Sequence, residues 1–102
     1  GVAAAMKKIT AEMPPIKGII HAAGILDDHL VVDLERSHLE SVMGAKVDGT
    51  LYLAEATKDL NLDLFWMFSS VAAMIGSAGQ GNYCAANAFM DAYASHRRAN
   101  GL

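Results

Sequence analysis

The sequence has one cysteine, two prolines and little charge of either sign. A single thiol, Cys84, cannot form a disulfide within the chain. No apolar run reaches the roughly 18 residues of a membrane span, and no basic stretch followed by a long apolar core marks a secretory signal. Lys and Arg number 8 against 11 Asp and Glu, so the basic excess that nucleic-acid backbones require is missing. These absences predict a cytoplasmic protein that binds neither nucleic acid nor a membrane.

Apolar residues dominate what is present. They make up 53% of the 102 residues, whereas charged residues make up 19%. This composition excludes intrinsic disorder, which needs low hydrophobicity and high charge. The length allows one small domain at most, since domains usually contain roughly 100 to 200 residues.

The hydrophobic pattern predicts the order helix, strand, helix, strand, helix. Two short runs, residues 16–23 and 64–68, are mostly apolar, which is typical of parallel strands covered on both faces. A helix is predicted over residues 1–13, where Pro14 and Pro15 end it. Ser37 and Glu40 form a capping-box pattern at the start of a long helix that runs to about Lys58, and a last helix is predicted over residues 82–98.

Two parallel strands are too few for an independent sheet. They leave both edges unpaired, and parallel strands occur almost only in larger sheets that helices cover. We therefore expect residues 1–102 to form one partial α/β domain, part of a Rossmann-like doubly wound parallel sheet that other residues or another chain complete.

One lysine has an unusual place in the long helix. Lys46 falls within the apolar stripe formed by Leu39, Val42, Met43, Leu53 and Ala54. A helix lysine is ordinarily a surface charge whose stem lies on apolar neighbours. A lysine that faces the sheet needs a partner or a task, because an unpaired buried ammonium is costly or loses its proton.

Polar residues cluster after the second strand, at the strand end where binding crevices form in parallel sheets. Ser69 and Ser70 lead through a loop into the last helix, where Tyr83 and Asn87 are four residues apart on one face. These residues could also be structural: a core tyrosine, an asparagine near the first turn and serines that bond to loop backbone.

Two further patterns predict no site. The loop 76–81 has the spacing G-x-x-G-x-G rather than that of a phosphate-binding turn, so a tight turn is the expected role. No metal site is predicted, because Cys84 lacks a partner and no two histidines have metal-ligand spacing; they are His21, His29, His38 and His96.

Four segments of the chain resemble the C-terminal half of a ketoreductase domain of a modular (type I) polyketide synthase, in the short-chain dehydrogenase/reductase superfamily. The segments are residues 18–24, 46–49, 68–72 and 79–89. In these ketoreductases an asparagine follows the tyrosine by four positions, where most of the superfamily has the lysine, and the lysine comes from the preceding long helix. Here Asn87 is at Tyr83 plus four, Ser70 is thirteen before Tyr83, and Lys46 is twenty-four before Ser70.

The resemblance implies NADPH-dependent reduction of a β-ketoacyl group, held as a thioester on an acyl carrier protein, to the β-hydroxyacyl product. It implies that Tyr83 is the general acid and that Lys46 lies beside it and holds the nicotinamide ribose. A phenol is a poor proton donor near neutrality unless a nearby ammonium favours its phenolate form. Ser70 would donate to the substrate carbonyl, and Asn87 would hold a water that relays protons.

The resemblance also assigns the cofactor contacts, to His21, Ala22, Ala23, Gly24, Lys46 and Tyr83. The glycine-rich turn after a first strand and the basic residue that usually selects the 2′-phosphate are not found in this sequence. Most of the cofactor site is therefore expected to come from other residues, and residues 1–102 by themselves are expected to bind NADPH weakly and to lack turnover. The implied partners are the acyl carrier protein and the rest of a polyketide synthase.

The resemblance extends to product stereochemistry. Leu26, Asp27 and Asp28 look like the fingerprint of B-type ketoreductases, and Ile75 stands where A-type enzymes carry a tryptophan. Gly81, two residues before Tyr83, stands where the epimerising subclass has proline. The implied product is the B-type alcohol.

Two other functions are consistent with the sequence. The chain could be a structural ketoreductase-like subdomain without catalysis, although the presence of Lys46, Ser70, Tyr83 and Asn87 favours an enzyme. It could also belong to a stand-alone reductase of free or coenzyme A-linked ketones, which the exchanged lysine and asparagine disfavour.

Overall fold

The computed structural model describes residues 1–102 and confirms the predicted order of elements. Its helices and strands are α1 (Val2–Glu12), β1 (Gly18–His21), a 3-10 turn (Val31–Asp33), α2 (Arg36–Met43), a π-helical turn (Gly44–Asp48), α3 (Gly49–Ala56), β2 (Leu64–Met67), α4 (Ala72–Ile75) and α5 (Gly81–Ala99). Both strands are shorter than predicted. The loop predicted after β2 contains the short helix α4.

The two strands pair in parallel, as expected. Gly18 lies opposite Leu64, and His21 lies opposite Met67. The pairing continues one residue beyond β2, where the Phe68 N–H donates to the His21 carbonyl at 3.0 Å. The carboxyl ends of both strands therefore open on the same side of the sheet, together with the segments that follow them, residues 22–30 and 69–80.

The prediction that both faces of the strands are buried is wrong for this chain. Ile19 and His21 are buried on one face, whereas Ile20 is 60% exposed and Trp66 is 59% exposed. The apolar residues are thus present on both faces, as a doubly wound sheet requires, but no element of this chain covers the second face. The exposed strip is what an incomplete sheet of this fold class presents.

The long helix starts one residue earlier than the predicted cap. α2 begins at Arg36, so Ser37 lies within the first turn, and Glu40 instead forms an ion pair with Arg36 at 2.6 Å. The capping pair is Glu35 and His38, in which the Glu35 N–H donates to His38 Nδ1 at 3.1 Å. The capping box predicted at Ser37 and Glu40 is therefore wrong.

A wide π-helical turn joins α2 to α3 and was not predicted. In an ideal α-helix each step of four residues drifts about 40° around the axis. The wider turn at Gly44–Asp48 takes up part of that drift. As a result Val42, Lys46 and Thr50, which are spaced four apart, are all buried, with exposed fractions of 0%, 5% and 0%.

The turn between α4 and α5 uses glycine for its backbone conformation. Gly76 and Gly79 both have φ of 75°, in the left-handed region that side chains disfavour. This confirms the tight turn predicted for residues 76–81. α5 then runs for 19 residues and buries Asn82, Ala86, Asn87 and Met90. No helix of the chain is both long enough and apolar enough to cross a bilayer.

Candidate active site

Lys46 is directed into the protein, as its place in the apolar stripe predicted. Its side chain is buried, and its Nζ atom donates to the Phe68 carbonyl oxygen at 2.9 Å. Phe68 directly follows β2, so this bond ties the middle of the long helix to the carboxyl end of the sheet. A buried ammonium needs such a partner, because burial without hydrogen bonds is costly.

Tyr83 shares this place with Lys46. The Lys46 Nζ atom lies 5.4 Å from the centroid of the Tyr83 ring, within the range of a cation–π contact. Tyr83 is half-buried in the first turn of α5. The fold therefore brings together the ammonium and the phenol ring of two residues that are 37 positions apart in the sequence.

The backbone around Lys46 is held from two sides. Its carbonyl oxygen accepts a hydrogen bond from Thr50 Oγ1 at 2.6 Å and lies 3.4 Å from His21 Nε2. Gly49 lets the imidazole approach, since a Cβ atom at that position would lie 3.2 Å from His21 Cε1. The His21 side chain is thus buried against the helix and supports Lys46, so a cofactor could meet only the His21 backbone.

Three exposed residues follow β1, namely Ala22, Ala23 and Gly24. A Cβ atom on Gly24 would lie 3.2 Å from Lys46 Cε, which is tighter than ordinary contact, and 3.8 Å from Nζ. Glycine therefore lets the backbone at position 24 pack directly against the lysine stem, which a side chain there would crowd.

The two serines after β2 have different partners. Ser69 Oγ donates to the backbone carbonyl of Asn87 at 3.2 Å. Ser70 Oγ accepts from the Ala72 N–H at 3.2 Å, at the start of α4. Since accepting leaves the hydroxyl proton free, Ser70 retains a donor for a further partner, whereas Ser69 has used its donor within the fold.

Asn87 has one unused polar atom. Its Nδ2 donates to the Tyr83 carbonyl at 2.8 Å, one turn earlier in α5. Its Oδ1 atom is buried and has no hydrogen-bond partner. Buried polar atoms are nearly always paired, so this oxygen is placed to accept from a water or a ligand.

The segment after β1 returns to the start of α5. Asp27 pairs with His29 at 2.9 Å, and the Asp28 carboxylate accepts from Gln80 Nε2 at 3.1 Å. Leu26 remains 63% exposed, and Gly81 is also exposed. The three residues 26–28 therefore lie at the turn that leads into Tyr83.

Two features of this segment were not predicted. Asn82 is fully buried and bonds to three parts of the backbone. The rings of His29 and His38 stack at 3.6 Å between centroids. An asparagine at the start of a helix usually indicates a cap, so the sequence pattern pointed to a local role for Asn82 rather than to these distant contacts.

The KR domain family model matches residues 1–102, which is the whole chain. The chain belongs to the KR domain family. Its relatives are polyketide synthases, so the resemblance to ketoreductase domains of modular polyketide synthases is confirmed, and with it the Rossmann-like fold class.

Among curated relatives, this KR chain is 50% identical over 101 residues to Pks15/1 of Mycobacterium bovis, a type I polyketide synthase of phenolphthiocerol synthesis. It is also 50% identical over 101 residues to Pks1 of Mycobacterium tuberculosis, whose full name is "Putative inactive phenolphthiocerol synthesis polyketide synthase type I Pks1". Each match covers 99% of this chain but only 5% or 6% of the relative. The chain thus spans a small part of these synthases.

Solved ketoreductase structures have the same fold. The first ketoreductase of the tylosin polyketide synthase is 48% identical, with a TM-score of 0.88 over 99% of this chain and 23% of that chain. An A-type ketoreductase from a modular polyketide synthase is 45% identical, with a TM-score of 0.90 over 98% of this chain and 22% of that chain. The 102 residues correspond to about a quarter of these proteins.

Proposed function

We propose that this chain supplies the proton-donating side of a ketoreductase site that reduces an acyl-carrier-protein-bound β-ketoacyl thioester to the β-hydroxyacyl product with NADPH. The observation that carries the proposal is the position of the buried Lys46 ammonium, 5.4 Å from the centroid of the Tyr83 ring. A phenol beside an ammonium at the carboxyl end of a parallel sheet can deliver a proton to a ketone oxygen as that oxygen becomes an alkoxide.

Tyr83 is the general acid in this proposal, and Lys46 favours the negative charge that remains on the phenol oxygen after transfer. The bond from Lys46 Nζ to the Phe68 carbonyl supports this role, because it fixes the ammonium while leaving two of its three protons for other acceptors. The hydrogen bond from Thr50 to the Lys46 carbonyl limits movement of the backbone from which the side chain extends.

Ser70 donates its hydroxyl proton to the substrate carbonyl and helps to stabilise the developing alkoxide. The free donor on Ser70, compared with the occupied donor on Ser69, supports this choice between the two serines. Asn87 accepts a hydrogen bond from a water molecule, and this water returns a proton to Lys46 and Tyr83. The unpaired Oδ1 atom of Asn87 suits this role.

The cofactor in this proposal is NADPH, and its binding residues in this chain are the His21 to Gly24 backbone, Lys46 and Tyr83. The close packing of Gly24 against the Lys46 stem supports this set, because a side chain at position 24 would crowd the ammonium that the ribose must reach. When bound, the nicotinamide supplies the hydride to the ketone carbon. The protein's part is to hold the Lys46 ammonium in position and to present it to a ribose hydroxyl.

The proposed product is the B-type alcohol, and Leu26, Asp27, Asp28 and Gly81 are the proposed determinants. Their position supports this assignment, because the Asp28 bond to Gln80 places this segment at the turn that precedes Tyr83. The exposed Leu26 side chain is available to contact a substrate.

The proposed partners are the acyl carrier protein and the remaining residues of a ketoreductase domain within a polyketide synthase. We infer that residues 1–102 form one partial domain, its catalytic portion, and that other residues supply the glycine-rich cofactor-binding half. The uncovered apolar strip at Ile20 and Trp66 supports the need for further strands and helices.

The proposal is tested in a complete domain. We define the tylosin chimera as the first ketoreductase of the tylosin polyketide synthase in which residues 1–102 replace the matching segment. The assay follows NADPH consumption with a β-ketoacyl thioester substrate. The Tyr83→Phe variant should lose about 100-fold or more of kcat with an unchanged melting temperature, because only the proton donor is removed.

The matched control is Tyr52→Phe, since Tyr52 is 61% exposed in α3 and should be silent. Unchanged activity of Tyr83→Phe would refute the assignment. A tylosin chimera that folds but shows no reduction at all would favour the second candidate, a non-catalytic structural subdomain. The supporting observation for that candidate is the full name of the relative Pks1, "Putative inactive phenolphthiocerol synthesis polyketide synthase type I Pks1". Equal turnover of simple free ketones would favour a stand-alone reductase.

A further inference from the structure

Asn82 uses one side chain to join three separate segments of the backbone. Its Nδ2 atom donates to the Asp27 carbonyl at 2.7 Å and to the His38 carbonyl at 3.0 Å. Its Oδ1 atom accepts from the Tyr83 N–H at 2.8 Å. The residue is 0% exposed, so no water competes for these bonds.

This arrangement differs from a helix cap. A capping asparagine accepts from an N–H two or three residues later, whereas Asn82 accepts from the next residue and directs both amide protons away from its own helix. Both carbonyl partners are distant in sequence, by 55 and 44 residues. Only a carboxamide of this length provides two donors and one acceptor together.

The segment held by Asn82 is the one that precedes the site. Residues 22–35 carry Asp27 and Asp28 and connect β1 to α2. Their other bonds to the turn before α5 are the His29 N–H to the Gly79 carbonyl at 2.8 Å and the exposed Gln80 contact with Asp28. Asn82 therefore makes the buried link between this segment and the Tyr83 backbone.

We propose that Asn82 is a positioning residue that sets the place of segment 22–35 relative to Tyr83 and so aligns the ketone with the phenol. The proposal rests on the proposed function. Loss of the two donors would leave the Asp27 carbonyl without this partner, break the link to the His38 carbonyl of α2 and free the segment to move. The substrate would then meet the phenol in more than one orientation, which lowers both turnover and the selectivity for one alcohol.

The test compares Asn82→Asp with the unmodified tylosin chimera. Asp keeps the size and one acceptor but turns both donors into acceptors that face carbonyl oxygens. We expect amide hydrogen exchange in residues 22–35 to be about tenfold faster, with unchanged exchange in β1 and β2. We also expect kcat to fall about tenfold, with little change in KM for NADPH, and the product to become a mixture of the two alcohols.

Asn61→Asp is the matched control, because Asn61 is exposed between α3 and β2 and should leave both readouts unchanged. Faster exchange throughout the domain, or an unchanged product ratio with locally faster exchange, would overturn the positioning role. The exchange measurement requires no catalysis. Failure of the proposed function, seen as an active Tyr83→Phe variant, is therefore distinguishable from failure of this inference.

A second measurement needs no substitution and covers the case in which Asn82→Asp does not fold. In the unmodified tylosin chimera, the amides of His29 and Tyr83 should have equal protection factors, which are exchange rates corrected for the intrinsic rate of each amide. One opening of the Asn82 contacts frees the Tyr83 N–H and releases segment 22–35, which carries His29. A protection factor for His29 about tenfold lower than that of Tyr83 would mean that segment 22–35 opens independently, and the proposal would be wrong.

Discussion

Gly24 lies directly against the stem of Lys46, so that a Cβ atom added at Gly24 would be 3.2 Å from Lys46 Cε. The contact joins the segment after β1 to the middle of the long helix. Lys46 can keep its observed position because residue 24 has no side chain.

The variant Gly24→Ala tests this relationship. Overpacking should displace the Lys46 side chain, raise KM for NADPH and lower kcat in the tylosin chimera, together by about tenfold or more in kcat/KM. Gly44→Ala is the control, because nothing lies within 4 Å of its Cβ position and its backbone is helical. That variant should be fully active and more stable by up to about 1 kcal/mol. Normal cofactor kinetics in Gly24→Ala would contradict the proposed role of Gly24 in cofactor binding.

Lys46→Met removes the ammonium and keeps the length of the side chain. We expect a loss of about 100-fold or more in kcat/KM, because a charged donor at the site is lost. The melting temperature should change little, since an apolar side chain replaces a buried charge. Circular dichroism and steady-state kinetics on the tylosin chimera measure both.

Lys58→Met is the matched control for Lys46→Met. The Lys58 side chain is 58% exposed and donates to Glu55, a hydrogen bond that raises the pKa of its ammonium. An exposed pair of this kind contributes little to stability, so Lys58→Met should be nearly silent in both measurements. An equal loss of activity in the two variants would argue against a specific role for Lys46.

The two serines should respond in opposite ways. Ser70→Ala should lower kcat by about 100-fold, because it removes the proposed donor to the substrate carbonyl. Ser69→Ala should leave kcat within a few-fold and cost about 1 kcal/mol of stability, because it removes only the bond to the Asn87 carbonyl. Kinetics and urea unfolding of the two tylosin chimera variants measure these effects. The reverse pattern would transfer the catalytic role to Ser69.

Product stereochemistry can be tested in a host of the other type. Residues 1–102 would replace the matching segment of the A-type ketoreductase, with which they share 45% identity. If residues 26–28 favour B-type reduction, the chimera should give the alcohol of opposite hand to that from the unmodified host. Chiral chromatography measures the ratio, and retention of the host's product would show that the B-type assignment is wrong.

Residues 1–102 in isolation should associate and bind NADPH weakly. The apolar strip that contains Ile20 and Trp66 is exposed in the isolated chain, and strip residues of this kind drive association. Size-exclusion chromatography should show concentration-dependent oligomers, which the double variant Ile20→Lys and Trp66→Lys should reduce. A monomer with strongly protected strand amides, or micromolar NADPH affinity, would contradict the view of the chain as a partial domain.

The element order could be predicted because it depends on local hydrophobic pattern. Apolar runs indicated both strands, and the stripe on the long helix indicated that Lys46 faces inward. The predicted helix cap was wrong because Ser37 and Glu40 match the usual capping-box pattern but do not form one. The pair that caps the helix, Glu35 and His38, is not a common capping pair.

The contacts of the site were less predictable than its residues. Bonds from Asn82 span 55 and 44 positions, and no local pattern encodes such distances. The same holds for the stacked rings of His29 and His38, which meet only because segment 22–35 folds back on α2. The π-helical turn likewise follows from tertiary packing, because both flanking helices must present a buried residue to the same core.

The wide turn at Gly44–Asp48 also sets the directions of the side chains on either side of it. If the same residues formed a regular α-helix, Lys46 would turn about 40° and Thr50 about 80° away from the direction of Val42. Thr50 would then leave the core, and the Lys46 carbonyl would lose its hydrogen bond from the Thr50 hydroxyl. Substitutions that make this stretch a regular helix should therefore lower reduction even when every side chain proposed to take part in it is kept.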